Sequence, residues 1–120
     1  VKEEEQAYKM FLQTVRLDLD DYNKEVDEGL HITSMPGSWL SIVEGFAGLR
    51  IRNNKLFLNP TLPNKWKSYS FNIIFNDQIV NFDIRKDKIL IYNKGGNSID
   101  LSINGRDIQI LENNKIKIEC

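Results

Sequence analysis

Residues 69–84 read YSFNIIFNDQIVNFDI, and this stretch decides the fold of the second half of the chain. Apolar and polar side chains alternate on both sides of Asn76-Asp77, a pair that is typical of a tight hairpin turn. Alternation with a period of two places the apolar side chains on one face of a strand. The stretch therefore predicts two antiparallel strands with one buried face and one face in water.

The same period of two recurs along the chain after Leu49. It is seen in three further runs: Ile99, Leu101 and Ile103; Ile108 and Ile110; Ile116 and Ile118. The runs are separated by residues that favour turns: Lys86-Asp87, Gly95-Gly96, Asn104-Gly105 and Asn113-Asn114. About seven short antiparallel strands at this spacing predict a β-sandwich or a jelly-roll-like sheet over residues 49–120.

The first half of the chain has a helical period instead. One apolar stripe consists of Tyr8, Phe11, Leu12, Val15 and Leu19, and a second consists of Met35, Trp39, Ile42, Val43 and Phe46. Glu3, Glu4 and Glu5 suit the first turn of the first helix, and Ser34 is a candidate N-cap of the second, which should stop at Ala47-Gly48. Two helices followed by a β domain make the chain α+β, and we expect Phe11, Trp39 and Phe46 to form an exposed apolar surface.

Composition limits the class of protein. With 41% apolar and 28% charged residues, the chain has the composition of a globular domain and has no stretch apolar enough to span a membrane. Residues 1–48 hold 4 basic and 10 acidic side chains, and residues 49–120 hold 12 and 7, which indicates two differently built halves. The basic residues are scattered along the strands, so we expect no nucleic-acid partner. The single cysteine, Cys120, excludes an internal disulfide and favours a cytoplasmic location.

The segment from Glu28 to Trp39 is the strongest candidate for chemistry in the first half. It places the only histidine, His31, and the hydroxyl of Ser34 where a loop enters a helix. The first N–H groups of a helix lack intrahelical partners and favour an anion, so a phosphate could bind there. The alternative is that His31 is a packed histidine and Ser34 only a cap.

Other polar segments carry weaker signals. The acidic run from Asp18 to Glu28 is typical of a solvated loop, and Glu44 of an ordinary helix residue, so neither predicts a catalytic carboxylate. The glycine-rich Lys94-Gly95-Gly96-Asn97 lacks the spacing of a nucleotide-binding loop and predicts a turn. The segment from Asn59 to Trp66 has two prolines and predicts a structural corner.

Several of these segments together resemble glycoside hydrolase family 65. The resemblance rests on RLDLDDYN (residues 16–23), EGLHITSMPGSWL (28–40), GFAGLR (45–50), LFLNP (56–60) and LPNKWKS (62–68), in this order and spacing. It implies that residues 1–48 are the end of a catalytic (α/α)6 barrel and that residues 49–120 are a C-terminal antiparallel β domain beside it. The rest of the barrel is then the expected partner of this chain.

The resemblance also implies the reaction. Phosphorylases of this family split maltose or a related α-glucoside such as kojibiose, nigerose or trehalose with inorganic phosphate, with inversion, to glucose 1-phosphate and glucose. The family histidine that contacts phosphate corresponds to His31, with Ser34 as its neighbour. The resemblance implies a general acid upstream of Val1, so we expect no catalytic residue in this chain and no activity of the isolated chain. Neither metal nor cofactor is expected, and a homodimer is usual in the family.

Two alternatives stay open. Residues 49–120 could be a non-catalytic module that stabilises the barrel or binds carbohydrate, with the helices as its connector. The complete protein could also be a trehalase-like hydrolase of the same family, although a histidine at position 31 favours a phosphorylase.

Overall fold

The computed structural model describes residues 2–16 and 34–120. The chain divides into two compact units, Val1–Gly45 and Phe46–Cys120. The first contains helices and the second contains β-strands, as the change of period predicted. The two units are described separately below.

Two helices form the described part of the first unit. Helix α1 spans Lys2–Val15 and carries the predicted acidic residues Glu3, Glu4 and Glu5 in its first turn, where the helix dipole favours anions. Helix α2 spans Ser34–Leu40. Both predicted helices are confirmed, with α1 ending at Val15; Leu19, expected on its apolar stripe, lies outside the described residues.

Helix α2 continues without a break as a π-helical segment, Ser41–Phe46, which the sequence did not predict. At the change from α to π, the hydroxyl of Ser41 donates a hydrogen bond of 2.8 Å to the carbonyl of Gly37. Such a side-chain bond to the preceding turn competes with the backbone ladder and accompanies irregular helices. The helix ends as predicted before Gly48, whose φ of 61° is the left-handed conformation usual after a helix.

The two helices approach each other near Gly37 and Thr14. A Cβ on Gly37 would lie 3.4 Å from Cγ2 of Thr14, so a glycine permits this approach. The expected exposed apolar surface is only partly present. Trp39 is 47% exposed, whereas Phe11 and Phe46 are buried, at 9% and 6% exposed. In the described ranges, neither helix is long and apolar enough to cross a membrane.

The second unit, described throughout, forms eight strands, one more than the approximate number predicted. Their bounds are β1 Arg50–Arg52, β2 Lys55–Leu58, β3 Ser68–Phe75, β4 Gln78–Arg85, β5 Lys88–Asn93, β6 Ile99–Ile103, β7 Arg106–Ile110 and β8 Asn114–Glu119. The strands make two four-stranded sheets, with the orders β1-β2-β6-β7 and β3-β4-β5-β8. The prediction of a small β-sandwich after terminal helices is confirmed, while the barrel itself stays a prediction.

One strand pairing differs from the expected antiparallel plan. Within residues 46–120, β2 and β6 pair in parallel, with Leu56 opposite Leu101 and Leu58 opposite Ile103, and the remaining pairs are antiparallel. The reason is the route of the chain, since β3, β4 and β5 lie between these two strands in sequence but form the other sheet. Parallel neighbours require such a crossover.

The core lies between the inward faces of the two sheets. Strand β3 alternates between exposed and buried side chains along its whole length, and Phe71 pairs with Phe82 on β4, as the stretch at residues 69–84 predicted. The hairpin turn at Asn76-Asp77 has φ values of 50° and 59°, and Asn104-Gly105 has 51° and 78°. Positive φ at both positions is characteristic of the turn that matches the twist of a hairpin.

Candidate functional site

The predicted phosphate-binding pair cannot be placed in full. His31 lies outside the described residues, as does the acidic run from Asp18 to Glu28. Ser34 opens the described part of α2 and its side chain is not described, so its predicted role as an N-cap is not tested. Its role in binding phosphate therefore stays a prediction. Glu44 is exposed on the π-helical segment. In residues 2–16 and 34–120, no three His, Cys, Asp or Glu side chains are grouped as metal ligands.

The segment from Asn59 to Trp66 is a structural corner, as expected. Within the second unit, its backbone is bonded to Phe46 and Ala47. The N–H of Thr61 donates to the carbonyl of Phe46 at 2.7 Å, and the N–H of Asn59 donates to the carbonyl of Ala47 at 3.1 Å. Gly48 is packed against this corner, since a Cβ on it would lie 3.1 Å from the carbonyl oxygen of Asn59.

Aromatic rings continue from this corner into the core. Trp66 makes edge-to-face contacts with Phe46 and Tyr69, at 5.3 and 5.8 Å between ring centroids. The hydroxyl of Tyr69 donates a hydrogen bond of 2.9 Å to the carbonyl of Thr61. Burial raises the pKa of Tyr69 because the phenolate would lose its hydration. These contacts stabilise the corner and offer no reactive group.

The turn Lys94-Gly95-Gly96-Asn97 is held by two buried amides. The side chain of Asn93, fully buried, donates to the carbonyl of Asn97 at 2.7 Å and of Leu111 at 3.2 Å, and its Oδ1 accepts from the N–H of Gly95 at 3.0 Å. Oε1 of Gln78 accepts from the N–H of Asn97 at 2.6 Å. A Cβ on Gly95 would overlap the side chain of Gln78, which would have to move away from its bond to Asn97. The sequence-based interpretation as a turn is confirmed.

Sequence reasoning missed a cleft on the outer face of the second sheet, which we call the Tyr92 cleft. It measures about 510 Å³ and is lined by side chains from three adjacent strands and the turn after β5: Asn81, Asp83, Leu90, Tyr92, Lys94, Lys115 and Lys117. The strand register explains the grouping, because Asn81, Tyr92 and Lys115 form one cross-strand row, and Asp83, Leu90 and Lys117 form the next. The predicted alternation assigns Asn81, Asp83, Lys115 and Lys117 to the wet face. It gave no strand at β5, and it does not show which strands are neighbours.

Positive charge surrounds the ring of Tyr92. Lys115 Nζ lies 4.8 Å from the ring centroid and Lys94 Nζ lies 5.6 Å from it, and the tyrosine hydroxyl donates to Oδ1 of Asn113 at 3.0 Å. Lys117 is paired with Glu119, whose hydrogen bond and charge raise the pKa of the lysine.

On the other side of the cleft, carboxylate and amide groups predominate. Oδ2 of Asp83 accepts hydrogen bonds of 2.9 and 3.1 Å from Arg85, and this pairing raises the pKa of the guanidinium. The amide of Asn81 donates to Oδ1 of Asn72 at 2.9 Å. These two contacts use one oxygen of Asp83 and the nitrogen of Asn81. No side-chain hydrogen bond among residues 2–16 and 34–120 occupies the second oxygen of Asp83 or the amide oxygen of Asn81.

Comparison with protein families gives two matches. Residues 49–110 match the model described as glycosyl hydrolase family 65, C-terminal domain, and residues 1–40 match the family's central catalytic domain. The first match alone covers more than half of the chain. It ends before β8, which nevertheless pairs with β5 in the second sheet.

Curated relatives and a solved structure agree with these matches. The chain is 42% identical over 103 residues to maltose phosphorylase of Bacillus subtilis and 37% identical over 113 residues to α,α-trehalose phosphorylase of Thermoanaerobacter brockii, with 86% and 94% of the chain covered. It spans only 14% of the length of each of these proteins. A solved structure assigned as a kojibiose phosphorylase from the human microbiome superimposes with a TM-score of 0.89 at 36% identity, over 98% of this chain and 16% of that one. On these matches, the chain belongs to glycosyl hydrolase family 65.

Proposed function

We propose that the complete protein containing this chain is an inverting phosphorylase of an α-linked glucose disaccharide. The observation that carries the proposal is that relatives aligned over most of the chain are phosphorylases of maltose and of trehalose. In such a reaction a carboxylic acid protonates the glycosidic oxygen while phosphate attacks the anomeric carbon. Because phosphate is already a nucleophile, no carboxylate base is required. Inversion of an α-glucoside gives β-glucose 1-phosphate.

The contribution of this chain to the reaction would be phosphate binding. We assign His31 and Ser34 to this role from the family resemblance. His31 is the histidine of the Gly-Leu-His motif, and Ser34 lies at the start of α2. Backbone N–H groups at a helix start, a hydroxyl and an imidazole are all donors to phosphate oxygens. The proton donor and the sugar-binding residues would belong to the preceding part of the barrel.

We assign residues 1–48 to the end of that barrel and residues 49–120 to the C-terminal β domain. The complete protein would be a cytoplasmic homodimer that needs no cofactor, with disaccharide and phosphate as its ligands. The single Cys120 suits a reducing compartment. Sedimentation equilibrium of the complete protein tests the dimer, and a monomer at micromolar concentration would contradict it.

The test of the activity uses the complete protein with and without phosphate. We expect glucose and β-glucose 1-phosphate to appear in equal amounts from one of maltose, trehalose, kojibiose or nigerose, as measured by phosphorus and proton nuclear magnetic resonance. No sugar should be released when phosphate is omitted. Release of two glucose molecules without phosphate would instead identify a hydrolase. The four disaccharides are compared at equal concentration, because relatives with similar identities are named for different substrates.

A further inference from the structure

The Tyr92 cleft has a polarity that runs across the strands. On one side, Asn81 and Asp83 of β4 supply hydrogen-bond acceptors. In the middle, Leu90 and Tyr92 of β5 form an apolar floor. On the other side, the ammonium groups come from β8 and from Lys94, in the turn after β5. The acceptors and the cations are separated by two interstrand spacings, or about 10 Å. A ligand that fits this arrangement has hydroxyl donors at one end and an anionic group at the other.

Two of the positive charges in the cleft are not paired with a carboxylate of the described residues. Of its charged side chains, Asp83 is paired with Arg85 and Lys117 with Glu119, whereas Lys94 and Lys115 have no carboxylate partner among residues 2–16 and 34–120. Within the part of the chain that the structure describes, both ammonium groups lie near the ring of Tyr92. Because lysine stems are flexible and both residues are exposed, their ammonium groups can move to an anion without breaking an ion pair.

We propose that the Tyr92 cleft binds a hexose monophosphate, with the phosphate between Lys94 and Lys115 and the sugar hydroxyls donating to Asn81 and Asp83. The volume of about 510 Å³ lies within the range of small-molecule sites, roughly 300–1,000 Å³. Leu90 and Tyr92 are half-buried and give the sugar ring an apolar surface to cover. A neutral sugar would leave the two lysines unused, and inorganic phosphate would leave the acceptors unused.

The cleft lies wholly in the second unit and uses neither of the residues assigned to phosphate binding, His31 and Ser34. Its ligand would be bound and released unchanged. The probe is glucose 6-phosphate, which the proposed phosphorolysis neither consumes nor makes, so failure of this inference and failure of the proposed activity are distinguishable. Binding to the complete protein is measured by equilibrium dialysis, with glucose and inorganic phosphate as comparison ligands.

The decisive variant is Lys94→Gln combined with Lys115→Gln. We expect glucose 6-phosphate affinity to fall about tenfold for each lysine removed, because one charge-assisted contact contributes about a factor of ten. The matched control, Lys67→Gln with Lys86→Gln, removes the same charge from exposed lysines outside the cleft and should bind as the wild type does. Both variants should keep the wild-type unfolding temperature and phosphorolysis rate.

A second variant, Asn81→Ala, tests the sugar end of the cleft. It should weaken glucose 6-phosphate binding and leave inorganic phosphate binding unchanged. The proposal is overturned if the wild-type protein does not bind glucose 6-phosphate at millimolar concentration, if the double lysine variant binds it as tightly as the control does, or if glucose binds as tightly as its phosphate.

Discussion

Replacing Asn93 with alanine should locally unfold the turn after β5. The buried side chain makes three good hydrogen bonds, to the carbonyls of Asn97 and Leu111 and from the N–H of Gly95. At a net contribution of about 1 kcal/mol each, their loss costs about 3 kcal/mol, and the buried groups left without partners add to this. This is a large fraction of the 5–15 kcal/mol that typically stabilises a domain.

Amide hydrogen exchange in the complete protein measures this effect. A loss of about 3 kcal/mol should accelerate exchange of the Gly95 and Asn97 amides roughly a hundredfold. The control is Asn72→Ala, which removes one exposed bond to Asn81 and should change exchange at the turn by less than twofold. Acceleration below about fivefold in the Asn93 variant would refute the assignment of the amide as the group that holds the turn.

Three further outcomes are expected. Gly95→Ala should destabilise the β domain by about 1–3 kcal/mol through overlap with the Gln78 amide, and Gln78→Ala should relieve part of that loss in a double-mutant cycle followed by urea unfolding. Burial raises the pKa of Tyr69 in the folded protein. The neutral, buried side chain therefore contributes fully to the free energy of unfolding below about pH 10, the pKa of an unfolded tyrosine, and this contribution is lost as the pH rises further. Tyr69→Phe should therefore flatten the stability profile between pH 9 and 11 (roughly the titration range of an unfolded tyrosine), and an unchanged profile would contradict this. His31→Ala in the complete enzyme should weaken phosphate use by roughly ten- to a hundredfold with little change in disaccharide affinity, and unaltered phosphate kinetics would identify His31 as a packing residue.

Patterns confined to neighbouring residues were sufficient to predict much of the fold. The hairpin of β3 and β4 follows from its alternation and from Asn76-Asp77, and the end of the helical segment before Gly48 follows from that glycine. Features that depend on distant parts of the chain were missed. The parallel pairing of β2 with β6 has no local signal, and neither does the change to a π-helix at Ser41.

The candidate sites likewise depend on information that neighbouring residues do not carry. His31 could be proposed only through the family resemblance, because one histidine at a helix start is more often a packed residue than a ligand. The Tyr92 cleft could not be predicted, since Asn81, Tyr92 and Lys115 are far apart in sequence and become neighbours only through the register of β4, β5 and β8.

The parallel pairing of β2 with β6 also has a kinetic consequence. Strands β3, β4 and β5 pair with their neighbours in sequence, so this meander requires only short loop closures and can form early. The hairpin of β1 and β2 must instead wait for residues 99–103, and its open edge stays unpaired until they are synthesised. A ribosome that pauses before β6 therefore holds a nascent chain in which β3, β4 and β5 are paired while the edges of β2 and β5 lack their partners, and unpaired edges favour aggregation.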